Sequence, residues 1–170
     1  MGLTIHFKGQ LSSAAAYEKL LAAARSFAYE QHCSITTVEE ESKHLSRVTD
    51  DEKDWNYTGP VTGVRIDLKP DCEPLVLEFD TDFYIQEYVK TQFAGADTHA
   101  LIVGFLRRVE PLFMHLGVFD ETEFWETDDL QLLRENLARC QSAIEEMAAQ
   151  HPGCQYKVHT PYGRIIDLIT

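Results

Sequence analysis

Residues 90–127 have the sequence KTQFAGADTHALIVGFLRRVEPLFMHLGVFDETEFWET, which contains the clearest helical pattern in this chain of 170 residues. Its apolar residues recur at helical spacing, at Leu101, Ile102, Phe105, Val109, Leu112, Phe113 and Leu116. Such a face must be buried, most simply against a sheet. The pattern predicts one long helix that Gly117 ends, and a short extended segment that begins at Val118 and Phe119.

The chain before this stretch shows one further helical pattern and several strand patterns. They predict a strand at 3–7, a helix from Ala14 to about His32, and strands at 33–40, 64–68, 75–79 and 83–89. Short turns join the last three strands, which predicts a meander. Residues 42–58 lack periodicity and carry the acidic run 50–54, so we expect an exposed connection, either a plain solvated loop or a lid.

The chain after this stretch predicts a helix and a last strand. Thr127 is a candidate cap for a helix that starts at Asp128, and His151-Pro152-Gly153 stops that helix after Gln150. Residues 164–169 have the composition of a strand. Because the strands cluster in the middle of the chain, we expect an α+β fold: one globular domain over residues 1–170, with a mostly antiparallel sheet of five to six strands and three helices packed on it.

The charge is strongly acidic, with 15 Lys and Arg against 28 Asp and Glu and a net charge of −13. A negative surface repels phosphate backbones and anionic membranes, so we expect no nucleic-acid or membrane partner, and a basic protein is the favoured partner. The chain has neither a long apolar run nor a signal-peptide pattern, which predicts a cytoplasmic location. Its four cysteines (Cys33, Cys72, Cys140 and Cys154) lack C-x-x-C spacing and are expected to be reduced thiols.

The usual catalytic and metal-binding motifs are missing from the sequence. It contains no H-E-x-x-H, EF-hand or G-x-S-x-G pattern, and we therefore predict no metal, no cofactor and no catalytic residue. One carboxylate hypothesis remains open. If residues 121–126 are extended, Glu121 and Glu123 share a face with Trp125, and a carboxyl against an aromatic ring can act as a general acid. The alternative is that these acids are solvated residues at a strand edge and have no catalytic role.

Polar and aromatic residues flank the predicted long helix and form the candidate ligand or partner site. The set is Lys90, Gln92, His99, Asp120, Glu121, Trp125 and Glu126. Trp is a common anchor for recognition because it buries a large area with few rotamers. His99 lies near the helix start at the border of the apolar face, so a purely structural histidine is the alternative interpretation.

Three blocks of the sequence resemble a family of uncharacterised bacterial proteins of about this length. They are GLTIHF (2–7), KTQFA (90–94), and DE (120–121) followed by WET (125–127). The resemblance covers most of the chain and implies no activity. It implies that the three blocks belong to one site.

Two functional hypotheses follow from these patterns. The first is a non-enzymatic interaction protein of the immunity or regulatory type, whose acids at Glu39, Glu40, Glu41 and residues 50–54 steer a basic partner. The alternative is an enzyme or small-molecule-binding protein with a pocket formed by Lys90, His99, Asp120, Glu121, Trp125 and Glu126.

Overall fold

The structure, a computed structural model, describes residues 2–48 and 55–169, so the acidic run at 50–54 lies outside the described residues. Its elements are β1 (Thr4–Leu11), α1 (Ala14–Glu30), β2 (Ser34–Leu45), β3 (Tyr57–Asp67), β4 (Leu75–Phe79), β5 (Tyr84–Lys90), α2 (Ala96–Val109), β6 (Phe113–Asp120), α3 (Phe124–Thr127), α4 (Leu130–Gln150), β7 (Gln155–His159) and β8 (Ile165–Ile169). All paired strands are antiparallel. The predicted α+β class is confirmed.

The strands form smaller sheets than the predicted single sheet. Two sheets have three strands, in the orders β5-β1-β6 and β2-β3-β4, and β7 pairs with β8. The predicted meander is correct for β3 and β4 but wrong for β5, which pairs with β1 so that Val89 lies opposite Ile5. The turn at Asp80 still brings β4 and β5 side by side, since the Asp80 N–H donates to the Tyr84 carbonyl oxygen at 3.1 Å.

One face of both three-stranded sheets forms the core with α1 and α2. Alternate strand residues such as Ile5, Phe7, Ile66 and Leu77 are buried there, as strand geometry requires. The apolar residues of the segment from Ala14 to about His32 recur at helical spacing, which predicts one buried face. Helix α1 confirms this face, with these residues buried: Tyr17, Leu20, Leu21, Ala24, Phe27 and Ala28. The opposite faces of the two sheets are free to line a separate cleft.

The predicted long helix is wrong beyond Val109, where α2 ends. Residues 110–112 form a 3-10 turn that contains Pro111, which lacks an N–H and cannot continue a helix. Residues Phe113–Asp120 are strand β6 and pair with β1, with Val118 opposite Phe7. Leu116 is buried as a strand residue, whereas Leu101, predicted to be buried, is 39% exposed.

The predicted connection at 42–58 is wrong where strands occupy its two ends, whereas the predicted exposure is correct for these residues: Ser42, His44, Ser46, Val48, Trp55, Asn56 and Thr58. Strand β2 continues to Leu45, and β3 begins at Tyr57 with His44 paired to Thr58. Arg47 is 2% exposed, which no propensity argument indicates. Only residues 49–54 of this segment lie outside the description.

The last third of the chain departs from prediction at three points. Asp129, not Thr127, caps α4, because its carboxylate accepts the N–H groups of Gln131 and Leu132. Leu130 and Met147 are 37% and 40% exposed although the helical pattern predicts burial. Strand β7 was not predicted, and it pairs with the predicted last strand.

Candidate functional site

The predicted site residues converge on the N-terminal end of β1. Thr4 lies opposite Lys90 in the β1–β5 ladder. Gln92 Oε1 accepts the Leu3 N–H at 3.1 Å, and Glu121 Oε2 accepts the Thr4 N–H at 2.8 Å. The three sequence blocks therefore meet in space, where side chains complete the hydrogen bonds of the first strand.

A buried hydrogen-bonded network lies beside this junction. His99 is 0% exposed, with Nδ1 2.6 Å from Thr91 Oγ1 and Nε2 2.9 Å from Asp120 Oδ2. The Thr122 hydroxyl donates to Asp120 Oδ1 at 2.7 Å, and the Trp125 N–H donates to Asp120 Oδ2 at 3.0 Å. Both imidazole nitrogens and both carboxylate oxygens are thus paired inside the protein.

The environment of Asp120 favours its charged form. Burial alone raises the pKa of this carboxyl, but hydrogen bonds from His99 and Thr122 outweigh burial and hold the pKa below its ordinary value. A hydroxyl, an imidazole and a carboxylate in series also form the catalytic triads of hydrolases. Thr91 and His99 are both 0% exposed, so substrate cannot reach them in this conformation, and the network anchors α2 to β5 and β6.

The other predicted site residues lie around the network without forming a shared pocket. Lys90 Nζ donates to Asp167 Oδ1 at 2.9 Å and to the Ile165 carbonyl oxygen at 2.8 Å, which holds β8. Glu121 and Glu126 are exposed. Of the seven residues, Lys90 lines a small groove of about 350 Å³ against β8 and α4. The other six line neither this groove nor a second groove of about 880 Å³.

The expected alternation of residues 121–126 is wrong, because this segment is a turn followed by α3. Glu123 has a left-handed backbone, with φ of 63°, and directly precedes the helix. Trp125 is partly buried against the core. The centroid of its ring lies 5.5 Å from the guanidinium carbon of Arg107. The proposed pairing of Glu121 and Glu123 with Trp125 on one extended face does not occur.

A groove of about 880 Å³, which we call the sheet groove, lies away from the predicted site. It is lined from both three-stranded sheets by residues that alternate with core residues. His6 and Lys8 flank the buried Phe7 on β1, and Val76 and Glu78 flank the buried Leu77 on β4. The sheet groove therefore lies on the sheet faces that point away from the helical core.

Three rings form an aromatic platform in the sheet groove. His6 lies opposite both Tyr88 on β5 and Phe119 on β6, with ring centroids 5.9 and 6.0 Å away. Phe119 is 63% exposed and Tyr88 is 40% exposed. Large rings that stay open to solvent in a concave site are available to stack on a ligand.

Two arginines fix the turn at 160–164, which contributes Pro161 and the exposed Tyr162 to the sheet groove. Arg65 Nη1 donates to the Tyr162 carbonyl oxygen at 3.3 Å. The Arg164 guanidinium lies 4.0 Å from the Tyr88 ring centroid, and its Nη1 donates to Glu73 Oε2 at 3.1 Å. These contacts hold the turn against the end of the aromatic platform.

The two carboxylates of the sheet groove each have a cationic partner. Lys43 Nζ bonds Glu78 Oε1 at 2.7 Å, and Arg164 Nη2 bonds Glu87 Oε2 at 3.1 Å. Burial raises the pKa of Glu87 more than the attraction of Arg164 lowers it. The cations Lys43 and Arg164 therefore serve mainly to hold these acids.

Burial affects the thiols of three cysteines. Burial raises the pKa of Cys72 to about 12, and it also raises the pKa of Cys33 and of Cys140. These thiols are weak nucleophiles at neutral pH.

Within residues 2–48 and 55–169, no three His, Cys, Asp or Glu side chains are grouped to hold a metal ion. In the same residues, no helix is long and apolar enough to span a membrane.

Sequence patterns did not reveal the sheet groove. The alternation in β1 shows that His6 faces away from the core, but it cannot show that Tyr88 and Phe119 lie on the neighbouring strands. A usable signal was the presence of aromatic residues on the polar faces of predicted strands.

Comparisons with protein-family models, curated proteins and solved structures found no match. The resemblance to bacterial proteins stays a prediction.

Proposed function

We propose that the protein is a non-enzymatic binding protein whose sheet groove holds a small molecule with a planar aromatic group. The observation that supports this proposal most directly is the exposed aromatic platform of His6, Tyr88 and Phe119. Ligand sites are concave, have volumes of roughly 300–1,000 Å³ and combine apolar walls with a few polar groups. The sheet groove, at about 880 Å³, has these properties.

Binding without catalysis fits the state of the two carboxylates in the lining. Catalysis by an acid or a base needs a titratable group that is free to exchange a proton with the substrate. Glu78 and Glu87 are instead held by Lys43 and Arg164. The platform supplies contact area and the paired charges supply a fixed shape, which are the requirements of recognition.

The experiment is an amide NMR titration with naphthoate as the probe. We expect resonance shifts at His6, Tyr88 and Phe119. Phe119→Ala should weaken binding about two- to tenfold, the loss expected for one ring contact of roughly 0.5–1.5 kcal/mol. Met114→Ala is the matched control, because Met114 lies on the same strand, is 64% exposed and does not line the sheet groove.

Comparing the affinity of naphthoate with that of decanoate, which has an apolar chain and no ring, tests whether binding requires a ring or only the burial of apolar surface. Tighter binding of naphthoate than of decanoate supports the aromatic platform as the recognition element. Equal loss of naphthoate binding in Phe119→Ala and Met114→Ala would contradict the proposal. So would shifts confined to residues outside the sheet groove, or a concentration-dependent dimer through this face in place of probe binding.

A basic protein partner is a second candidate, favoured by the position of three acids on an edge strand. Glu39, Glu40 and Glu41 are exposed on β2, which is the first strand of the β2-β3-β4 sheet and has one open edge. Replacing all three by Gln should slow association with a cationic protein captured by the wild-type chain and flatten its salt dependence. Unchanged association rates would exclude steering by these acids.

A further inference from the structure

We infer, on the basis of the proposed function, that the ligand of the sheet groove is an uncharged planar aromatic molecule. The pairing of the charged side chains in the lining supports this ligand class. Among the described residues, four Lys and Arg residues and two Glu residues line the sheet groove. Three acids outside the lining, Glu40, Asp67 and Glu73, also pair with those cations. The charges of the sheet groove therefore have partners within the protein.

The two lining cations on β2 and β3 are bound by carboxylates. Lys43 Nζ lies 2.7 Å from Glu78 Oε1 and 3.2 Å from Glu40 Oε1. Arg65 Nη2 lies 2.9 Å from Asp67 Oδ1, and Arg65 Nε lies 3.2 Å from the same oxygen. An anionic ligand would have to compete with these carboxylates for each cation, which removes most of the gain from a new ion pair.

The third lining cation, Arg164, is shared between two acids and a ring. Its Nη1 bonds Glu73 Oε2 and its Nη2 bonds Glu87 Oε2, both at 3.1 Å. Its guanidinium carbon lies 4.0 Å from the centroid of the Tyr88 ring. The fourth lining cation, Lys8, also has an interaction partner within the protein. All four lining cations therefore have partners before a ligand binds.

A cationic ligand meets the same obstacle with the opposite sign. Both lining carboxylates, Glu78 and Glu87, are held by Lys43 and Arg164. The face of an aromatic ring attracts a cation, but Arg164 already occupies this position at Tyr88. A second cation at the aromatic platform would be repelled by this guanidinium. An uncharged ring would stack there without losing the hydration of a charge.

Three naphthalene probes that differ mainly in charge test this inference: naphthamide, naphthoate and naphthylmethylammonium. The amide NMR titrations are run at about 0.15 M salt, where the screening length is about 8 Å, and at about pH 8, where an imidazole is ordinarily uncharged. We expect naphthamide to bind about two- to fivefold more tightly than either charged probe, the range for one partly exposed charge interaction. The net charge of −13 alone would favour the cation, so naphthamide against naphthylmethylammonium is the decisive comparison.

Two variants that each remove one partner of an ion pair should change the preference in opposite directions. Asp67→Asn leaves Arg65 without its carboxylate and should shift the preference toward naphthoate. Lys43→Gln leaves the lining carboxylate of Glu78 without its cation and should shift the preference toward naphthylmethylammonium. The matched controls are Glu18→Gln and Arg25→Gln, because both residues are exposed on α1, lie outside the lining and give the same changes in net charge. If a variant fails to fold, the order of the three probes on the wild-type protein still decides.

The outcomes separate the two proposals. Tightest binding of naphthamide, with opposite shifts in Asp67→Asn and Lys43→Gln, supports an uncharged ligand. Tightest binding of a charged probe, equal binding of all three probes, or variants that shift the preference no more than their controls overturns the uncharged ligand. In those cases, resonance shifts at His6, Tyr88 and Phe119 still support the proposed function. No shift in the sheet groove with any of the three probes overturns the proposed function itself.

Discussion

At the scale of single residues, Arg47 is a cation that is buried together with its ion-pair partner Asp80. Its side chain is 2% exposed, and Nη1 bonds Asp80 Oδ2 at 2.8 Å. The guanidinium carbon lies 4.8, 5.2 and 5.5 Å from the ring centroids of Tyr84, Tyr57 and Trp55. A charge removed from water is tolerated only when such partners replace the lost hydration.

Replacing Arg47 by Met should lower the free energy of unfolding by about 3–5 kcal/mol, because Asp80 is left buried without its cation. Urea denaturation measures this loss. The control is Arg108→Met, which removes an exposed pair with Glu30 whose side chains are 46% and 50% exposed. That change should cost less than about 1 kcal/mol. Similar losses in the two variants would contradict the view that burial makes the Arg47 pair important.

Asp120 gives a prediction about pH. Its folded pKa is lowered from the ordinary 3.8, so its contribution to stability is complete at neutral pH and is lost as pH falls below 3.8 through the folded pKa. Asp120→Asn should lower the unfolding free energy by about 2–3 kcal/mol at neutral pH, since charge-assisted hydrogen bonds are lost.

Urea denaturation between neutral pH and pH 3 tests this sign. The difference between wild type and Asp120→Asn should narrow below the ordinary pKa, as the wild-type carboxylate becomes protonated. Glu126→Gln is the control, because Glu126 is exposed and its change should leave the pH profile as in wild type. A difference that widens on acidification would refute the lowered pKa.

At the scale of elements, the start of α4 allows a test of where the helix is capped. The Asp129 carboxylate accepts from the N–H groups of Gln131 at 2.9 Å and Leu132 at 3.0 Å. Asp129→Ala should therefore cost about 1 kcal/mol of unfolding free energy, measured by thermal or urea denaturation. Asp129→Asn keeps a side-chain oxygen at the cap and should cost much less. An equal loss of unfolding free energy in both variants would show that Asp129 stabilises the protein by something other than capping.

The elements also show which sequence patterns were informative. Helix α1 was predicted correctly because its apolar face persists through 17 residues between a serine cap and the end of the helix. Leu112, Phe113 and Leu116 satisfy helical spacing over too few residues to exclude a strand. Pro111 and pairing with β1 decide in favour of β6, and that pairing depends on residues 4–11, far away in the sequence.

At the scale of the whole molecule, sequence patterns could predict the α+β class but not the partners of each strand. Alternation determines which residues share a face, whereas pairing is set by tertiary contacts. The same limit applies to the candidate sites. His99 and Asp120 were selected from the sequence, but their burial beside Thr91 and Thr122 required the fold. The sheet groove combines residues from strands distant along the chain, so only the assembled sheets reveal it.

The net charge of −13 predicts how stability responds to salt. Like charges at the surface repel one another more strongly in the compact state than in the expanded chain. Raising NaCl from about 0.01 M to about 0.1 M shortens the screening length from about 30 Å to about 10 Å. We therefore expect the unfolding free energy, measured in urea, to rise with salt over this range.

The triple change of Glu39, Glu40 and Glu41 to Gln should make this salt dependence shallower, since it removes three exposed negative charges from one strand. The buried pair of Arg47 and Asp80 is screened little by salt and should contribute equally in both proteins. If salt instead lowers the stability of the wild type, attractive ion pairs outweigh repulsion. The acidic surface would then stabilise the fold through local pairs, such as the 3.2 Å contact of Lys43 with Glu40.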